Sequence, residues 1–447
     1  MTKNKLSLVG LGKLGLPLAS VFASNGYPTL GIDINEDLID LVNNGKSPFY
    51  ENGLTEMLAK VGGKELECTS DYYRPINETD ITYILTNTPS QPDGSFSNKH
   101  ILSVLKSLSS ELKKSSKKYH LFVISSTVMP GSILNYFVPL VEETTGRKLN
   151  EGFGVGYCPD FVAIGEVIKG FTNPELVVIG QSDLSVGESI SEIHHNITKN
   201  KPSMHRMTIA SAEIAKVSLN AYITMKITFA NSLANICSKT PLSNVDHITN
   251  AIGQDRRISP YYFKGGMSYG GTCFPRDTFA FNHLNKSLGL STDLFDSIDS
   301  INKFQDQSLF EKVLSEISDS KTKKIGILGM AFKPSTPVIE QSVGVKLLEK
   351  LLAHNPALDI RISDFYATEN IKNIYGDKIN YSSSHLDCVN NSDIVIFIND
   401  ENDFIYDLKS FTPDRKITII DCWRSLDKID LDDNLRIMSN FDSNQYV

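Results

Sequence analysis

A strand, a glycine-spaced turn and a helix fill the first two dozen residues, and few folds accommodate that order. Leu6-Ser7-Leu8-Val9 reads as a short buried strand. Gly10-Leu11-Gly12-Lys13-Leu14-Gly15 follows and opens a helix that runs through Ala23. The helix N-terminus then faces whatever anion approaches the turn, which suits a pyrophosphate. Asp33 closes the next strand, Thr29-Leu30-Gly31-Ile32-Asp33. A carboxylate there accepts hydrogen bonds from the ribose hydroxyls of NAD and repels the additional phosphate of NADP. Gly10, Leu11, Gly12, Lys13, Leu14, Gly15 and Asp33 are the expected NAD contacts. The plainer reading is a tight strand-to-helix turn.

Apolar runs recur at Ile81–Leu85, Leu121–Ile124 and Leu176–Ile179, with helical stretches between them. This alternation predicts a parallel sheet covered on both faces. From about Thr208 the pattern changes. Ala210 to Cys237 lacks a helix breaker and is dense in small and apolar residues, including Ala212, Ala215, Leu219, Ile223, Ile227, Ala230, Leu233 and Ala234. It predicts a long helix, apolar on more than one side, that is either buried between domains or carries a dimer interface. Near Lys321 the strand–glycine pattern returns: Lys324–Gly329, then strands at Ile360–Asp364, Ile394–Ile398 and Ile417–Asp421. No complete G-x-G-x-x-G accompanies it, so a second dinucleotide is not implied. The expected fold class is α/β, two doubly wound (Rossmann-like) parallel-sheet domains joined by a long-helix central domain. The expected boundaries are 1–205 for NAD, 206–318 for the central domain and 319–447 for a nucleotide-binding α/β domain.

The 447 residues suffice for two or three domains with real cores. A net charge of −8 argues against a broad nucleic-acid-binding face. No apolar run approaches a membrane span, and Met1–Lys5 leads straight into a strand without a signal peptide. Six cysteines without paired spacing argue against disulfides or zinc and for a reducing compartment, by default the cytoplasm.

The chemistry concentrates in Tyr269-Gly270-Gly271-Thr272-Cys273-Phe274-Pro275-Arg276-Asp277. Two glycines before a thiol let the backbone approach a ligand closely, and a cation and a carboxylate follow within a turn. Taken alone, Cys273 reads equally as nucleophile or packed thiol. Together with a hydride acceptor, a thiol that can hold an acyl group suggests oxidation past the aldehyde. Lys216 and Asn220 are four apart on the long helix and share a face. They stabilise an oxyanion, or they are a snorkelling lysine and a capping asparagine. Arg256, Arg257 and Lys264 precede the thiol loop, as a solvated basic segment or a phosphate-recognition element. Asn87-Thr88-Pro89 and Ser125–Gly131 follow strands, where open α/β sheets bind ligands; read alone, each is a loop with turn chemistry before it is a site. Phe332-Lys333 and Arg424 follow the first and last strands of the third region.

This order of motifs resembles the UDP-glucose/GDP-mannose dehydrogenase family, which oxidises nucleotide sugars to uronic acids. The resemblance runs from Gly10 to Arg424. It is carried most specifically by Gly270–Asp277, by Ala212-Glu213-Ile214-Ala215-Lys216 with Asn220, and by Gly329-Met330-Ala331-Phe332-Lys333. It implies two successive NAD-dependent oxidations at C6, with Cys273 holding a thiohemiacetal and then a thioester. It further implies that Lys216 and Asn220 stabilise the oxyanion, that Asp277 handles water, and that Thr127 lies near the nicotinamide and the water. Asp160 joins this catalytic set. Thr88, Thr127 and Arg276 join the expected cofactor contacts. Asp160, Phe161, Lys216, Asn220, Arg257, Lys264, Gly270, Phe332, Lys333 and Arg424 are the expected substrate contacts. A homodimer through the long helix and a role in surface polysaccharide synthesis are also implied.

The chain departs from the family pattern in places. Asp160 replaces a usual glutamate, and Ile164 stands where several members have one. Val338-Ile339-Glu340 replaces an Asp-x-Arg, and a family tryptophan is missing at Asn399–Asn402. The competing readings are a two-electron hydroxyacid or 6-phosphogluconate-type dehydrogenase, and a nucleotide-sugar sensor without turnover. The sugar itself is not legible.

Overall fold

The computed structural model describes residues 4–290, 293–317, 324–400, 402–427 and 429–439. The expected 318/319 boundary, the start near Lys321, residues 1–3 and Glu401 lie outside them. The chain divides into two compact units, Met1–Leu219 and Asn220–Val447.

The first unit is built on an eight-stranded sheet. Its strands are β1 (Leu6–Val9), β2 (Thr29–Ile32), β3 (Leu66–Thr69), β4 (Ile81–Ile84), β5 (Leu121–Ile124), β6 (Gly154–Tyr157), β7 (Leu176–Gln181) and β8 (Ser203–Thr208). The spatial order is β3-β2-β1-β4-β5-β6-β7-β8. Neighbours run parallel except β6 and β7, which pair antiparallel through Gly156–Gln181 and Tyr157–Gly180. The sheet is therefore mixed at that point, where alternation alone predicts parallel pairing. Alternate residues feed opposite faces: Leu6 and Leu8 of β1 enter one apolar core and Val9 the other. The helix Lys99–Lys114 buries Ile101, Val104, Leu105, Leu108 and Leu112 at helical spacing against the second core.

Three strands escape an apolar-run reading for physical reasons. β3 alternates buried Leu66 and Cys68 with exposed Glu67 and half-exposed Thr69 at an edge. β8, Ser-Met-His-Arg-Met-Thr, has four polar residues among its six and takes its place by pairing with β7 along all six. β6 carries two glycines because its neighbours leave no room. A Cβ at Gly154 would lie 2.0 Å from the Tyr119 hydroxyl, and one at Gly156 2.3 Å from Ile190 Cδ1.

The second unit holds β9 (Ile325–Leu328), β10 (Ile360–Ser363), β11 (Asn380–Tyr381), β12 (Ile394–Phe397), β13 (Ile417–Asp421) and β14 (Leu435–Ser439). They form a fully parallel sheet, β11-β10-β9-β12-β13-β14. This is the doubly wound order of a dinucleotide-binding sheet. The long helix is Ile209–Cys237, within one residue of its expected start. Two further helices, Phe274–Ser287 and Leu294–Ile317, frame the thiol loop.

Candidate active site

In the first unit the glycine turn is shaped for close approach. Gly10 adopts φ +97°, and a Cβ there would lie 2.4 Å from the Leu85 carbonyl oxygen. A Cβ at Gly15 would lie 1.8 Å from the Gly10 carbonyl oxygen, so the helix packs directly onto the turn. A Cβ at Gly12 meets nothing within 4 Å: that space is open on the protein side. The Leu11 N–H donates to Asp33 Oδ2 at 2.8 Å and the Asn35 N–H to Oδ1 at 3.0 Å. Asp33 is half-buried, whereas Lys13 and Gly12 are exposed and Leu14 is half-exposed. A reachable carboxylate beside an open glycine turn at a helix N-terminus fits a dinucleotide.

The loops at the carboxyl ends of β4 and β5 are tied together. Thr88 Oγ1 donates to the Thr127 carbonyl at 2.7 Å. Ser126 Oγ donates to the Thr86 carbonyl and accepts from its N–H, both at 2.8 Å. Beyond Thr127, the chain is anchored by Glu213, fully buried, whose carboxylate accepts from the N–H groups of Gly131 (2.7 Å) and Ile133 (3.0 Å). Burial pushes the Glu213 carboxyl above the usual carboxylate range, and these two bonds oppose the shift. Three residues on, Lys216 is buried, donates through Nζ to the main-chain carbonyl of Asp160, and lies 4.8 Å over the Phe161 ring. It is neither snorkelling nor paired with the Asp160 carboxylate.

In the second unit, Asp277 is almost wholly enclosed. Its Oδ2 accepts from Asn220 Nδ2 at 2.6 Å and its Oδ1 from Arg276 Nε at 3.0 Å. The structure thus joins three expected site residues in one hydrogen-bonded set. Cys273 is the exposed cysteine; the other five are buried. Burial pushes the thiols of Cys68 and Cys158 up to about 12 and that of Cys388 up to about 11, which removes them as nucleophiles near neutrality. Cys273 precedes the helix Phe274–Ser287 as its N-cap, and its carbonyl accepts the Asp277 N–H at 2.8 Å. The unpaired N–H groups of a helix's first turn favour negative charge there.

The glycines before the thiol make room for protein. A Cβ at Gly270 would lie 2.1 Å from the Gln341 carbonyl oxygen, and one at Gly271 (φ +79°) 2.6 Å from the Phe332 ring. Lys333 lies 5.8 Å from the same ring's centroid. Lys264 lies 5.8 Å from the Trp423 ring and 3.9 Å from Asp400. Arg424 is buried and already engaged: it forks onto Asp246 with two 2.8 Å bonds and donates to the Gly265 carbonyl at 2.6 Å. Asp246, which sequence reasoning missed, sits 178 positions away from it in the chain and carries no local signal. Arg257 is not gathered with the others. Its side chain is 87% exposed and forks onto Asp255.

Three consecutive family models match the chain. They are the UDP-glucose/GDP-mannose dehydrogenase family's NAD binding domain over residues 4–198, its central domain over 210–304 and its UDP binding domain over 326–428. A UDP-glucose 6-dehydrogenase of Haloferax volcanii is 31% identical over 93% of this chain and 96% of its own. The chain belongs to the UDP-glucose/GDP-mannose dehydrogenase family. A GDP-mannose 6-dehydrogenase of Pseudomonas savastanoi pv. phaseolicola is 31% identical over 89% of both chains. The solved structure of a UDP-glucose dehydrogenase from the hyperthermophilic archaeon Pyrobaculum islandicum superposes with a TM-score of 0.86 at 25% identity, covering 96% of each chain. The protein is an NAD-dependent nucleotide-sugar 6-dehydrogenase, and the open glycine turn with Asp33 fits that cofactor. Among the described residues no helix is long and apolar enough to cross a membrane.

Proposed function

We propose that the protein oxidises the C6 hydroxyl of a UDP-hexose or UDP-N-acetylhexosamine to the carboxylate in two steps, through a thioester on Cys273. The observation that carries this reading is the exposed Cys273 thiol at a helix N-terminus, beside the enclosed Asn220–Asp277–Arg276 set. NAD would supply the hydride acceptor in each step; Gly10, Leu11, Gly12, Lys13, Leu14, Gly15 and Asp33 would hold it, and Thr88, Thr127 and Arg276 complete its proposed contacts. The first oxidation turns the alcohol into an aldehyde and releases one proton. The Cys273 thiolate adds to the aldehyde carbon, and the resulting oxyanion takes up a proton as the thiohemiacetal. The second oxidation removes the carbon-bound hydrogen as hydride and the hydroxyl proton, leaving the thioester. Water then adds to the thioester carbonyl and the C–S bond breaks, returning the thiol and freeing the uronate. Lys216 and Asn220 donate to the oxyanion of each addition. Asp277 holds the water; Asp160 and Thr127 are the remaining members of the proposed catalytic set.

Phe161, Gly270, Phe332, Lys333 and Lys264 are the proposed substrate contacts. Arg424 joins them, paired with an aspartate that a substrate phosphate must share or displace; Arg257, exposed and forked onto Asp255, has to leave that pair to reach a phosphate. Residues 1–205 hold NAD, 206–318 carry the thiol and 319–447 take the nucleotide. UDP is the nucleotide of this reading because the family's UDP binding domain matches residues 326–428 and a UDP-glucose 6-dehydrogenase is among the similar proteins; GDP-mannose 6-dehydrogenases are similar to the same degree, and the sugar panel below decides between them.

The assembly we infer is a symmetric dimer. Tyr222, Phe229 and Ile236 are each more than half exposed and repeat every seven residues along one side of the long helix, with Ile214 eight residues before them. An apolar stripe of that length on a helix suits a second copy of the same helix. An exposed nucleophilic thiol also suits a reducing cytoplasm.

The test is a panel of nucleotide sugars followed by NADH absorbance, with peptide mass spectrometry during turnover. Two NADH per UDP-sugar and an acyl adduct on Cys273 are expected. One NADH per sugar, or full turnover in Cys273→Ala, refutes the thioester.

A further inference from the structure

The residues just before the thiol have no freedom of their own, and the cause is a set of side chains outside the expected site. Four consecutive residues, Gly266 to Tyr269, are each gripped by a side chain. Asn231 Oδ1 accepts the Gly266 N–H at 2.8 Å, and its Nδ2 donates to the Met267 carbonyl at 3.1 Å. Gln305 Nε2 donates to the Gly266 carbonyl at 3.2 Å. The Ser268 hydroxyl donates to Asp306, whose other oxygen is held by Lys346 Nζ at 3.1 Å. Asn302 closes the set on Tyr269: its Oδ1 accepts the N–H at 2.9 Å and its Nδ2 donates to the carbonyl at 3.1 Å. Asn231, Asn302, Gln305 and Asp306 are between 0 and 8% exposed. Asn302, Gln305 and Asp306 sit at i, i+3 and i+4 of the helix Leu294–Ile317, and so share one face.

A side-chain amide has the donor and acceptor of a peptide group. An asparagine that bonds both the N–H and the carbonyl of one residue therefore does for that residue what a neighbouring strand does. The Tyr269 side chain is enclosed as well, 7% exposed and edge-on to the Phe274 ring with centroids 6.4 Å apart. Next, the Gly271 N–H donates to the Glu340 carbonyl at 3.0 Å. Downstream, the helix Phe274–Ser287 takes over at once. Only Thr272 and Cys273 lie between these anchors, and both are exposed.

We propose that Asn302 and Asn231, supported by Gln305 and Asp306, are positioning residues that set where the Cys273 sulfur stands at the helix N-terminus. The proposal rests on the reading of Cys273 as nucleophile for its kinetic consequence, but not for its geometric one. An uncovered buried N–H and carbonyl at Tyr269 let the loop shift, and a displacement of about 1 Å at a reacting atom lowers rate by roughly a hundredfold.

The experiment compares three variants of the full chain with NAD bound. Readouts are kcat, KM for NAD, and the rate of Cys273 alkylation by iodoacetamide, measured by peptide mass spectrometry. Asn302→Ala is expected to lower kcat by about tenfold to a hundredfold, leave KM for NAD within about twofold, and change the alkylation rate severalfold. Asn302→Asp is nearly isosteric and keeps the acceptor for the Tyr269 N–H. It turns an oxygen toward the Tyr269 carbonyl, so it should lose rate at about pH 8 and regain it relative to wild type toward about pH 6, as the buried carboxyl protonates and can donate again. Leu309→Ala, on the same helix but facing the apolar core, destabilises without touching the loop and should leave alkylation unchanged. The proposal is overturned if the Asn302 variants keep wild-type kcat and alkylation. It is equally overturned if Leu309→Ala shifts both as much as Asn302→Ala. Should Cys273→Ala keep full turnover, the nucleophile reading fails while the alkylation comparison still decides the loop's positioning.

Discussion

The two sheets of this chain open on the same device and use it in opposite ways. After β1, Gly10 takes φ +97°; after β9, Gly329 takes φ +95°. In each case a later glycine packs the helix onto the turn. A Cβ at Gly15 would lie 1.8 Å from the Gly10 carbonyl oxygen, and one at Gly344 2.4 Å from that of Gly329. An aspartate follows each second strand, and each accepts an N–H from its own glycine turn: Asp33 from Leu11, Asp364 from Met330. The difference lies in what remains. Asp33 makes two such bonds and stays half-exposed. Asp364 accepts four main-chain N–H groups at 2.7–3.0 Å, from Met330, Ala331, Tyr366 and Ala367, and is 6% exposed. Its acceptor capacity is used internally. The fifteen-residue span from Gly329 to Gly344, against five from Gly10 to Gly15, carries Phe332, Glu340 and Gln341 onto the thiol loop. A shared scaffold therefore leaves a reachable carboxylate, open to the proposed cofactor contact, in one sheet, and turns it into a structural brace in the other.

The largest expected effect tests the brace. Asp364→Ala strands four N–H groups and should lower unfolding stability by about 3–5 kcal/mol, with KM for NAD unchanged in the protein that folds. Urea unfolding measures it; a loss below about 1 kcal/mol breaks the contrast. Asp33→Asn should do the reverse. NAD binding is expected to weaken by about 1–3 kcal/mol, and discrimination against NADP to narrow, while stability stays within about 1 kcal/mol of wild type. Calorimetric titration with both cofactors decides it, and equal affinity of the wild type for NADP would contradict the role given to Asp33.

Glycine substitutions sharpen the contrast on a smaller scale. A methyl at Gly12 touches no protein atom, so Gly12→Ala should fold normally yet raise KM for NAD, the outcome expected if the proposed cofactor contact fills that space. Gly329→Ala must hold a positive φ and meet Asn399 at 2.7 Å, so it should cost about 1–3 kcal/mol of stability with no cofactor phenotype. Equal effects of the two on unfolding would mean that Gly12 is structural too.

Much of this contrast can be read in the chain, and the unreadable part has a common cause. Gly10, Gly12, Gly15 and Asp33 are legible because the turn is short and its spacing regular. Gly344 is not, because an insertion separates it from its turn, and the saturation of Asp364 depends on main-chain groups that no residue type announces. The long helix is plain from its small and apolar density. β8 is hidden by polar residues, and β6 by glycines that answer Tyr119 and Ile190. Cys273 stands out through its neighbours in sequence, whereas Asn231, Asn302 and Asp246 act across distances that leave no local pattern. Arg424 and Arg257 look alike as cations after loops; only the fold buries one against Asp246 and leaves the other in solvent.

The smallest expected effect separates the two halves by acid. The first unit buries two neutral histidines. Burial, with Lys117 and Arg147 nearby, holds His120 down at about 3, and burial holds His194 down at about 4. Their folded pKa values lie below the unfolded value, so their contribution is full above about pH 6.5 and is lost as pH falls toward 4, where the unfolded chain binds protons that the folded chain refuses. Burial pushes a carboxyl up in each unit, Glu213 in the first and Asp421 in the second. A raised carboxyl acts in the opposite sense, since its folded form holds a proton longer than the unfolded chain does. Between pH 7 and pH 6 the histidine pair should remove roughly 1 kcal/mol from the first unit alone. Trp423 is the chain's single tryptophan and reports the second unit. Urea unfolding followed by circular dichroism should therefore show an acid-shifted component that Trp423 fluorescence does not share. Equal shifts by both probes would mean that the two halves unfold as one and that the difference between their buried groups is not expressed in stability.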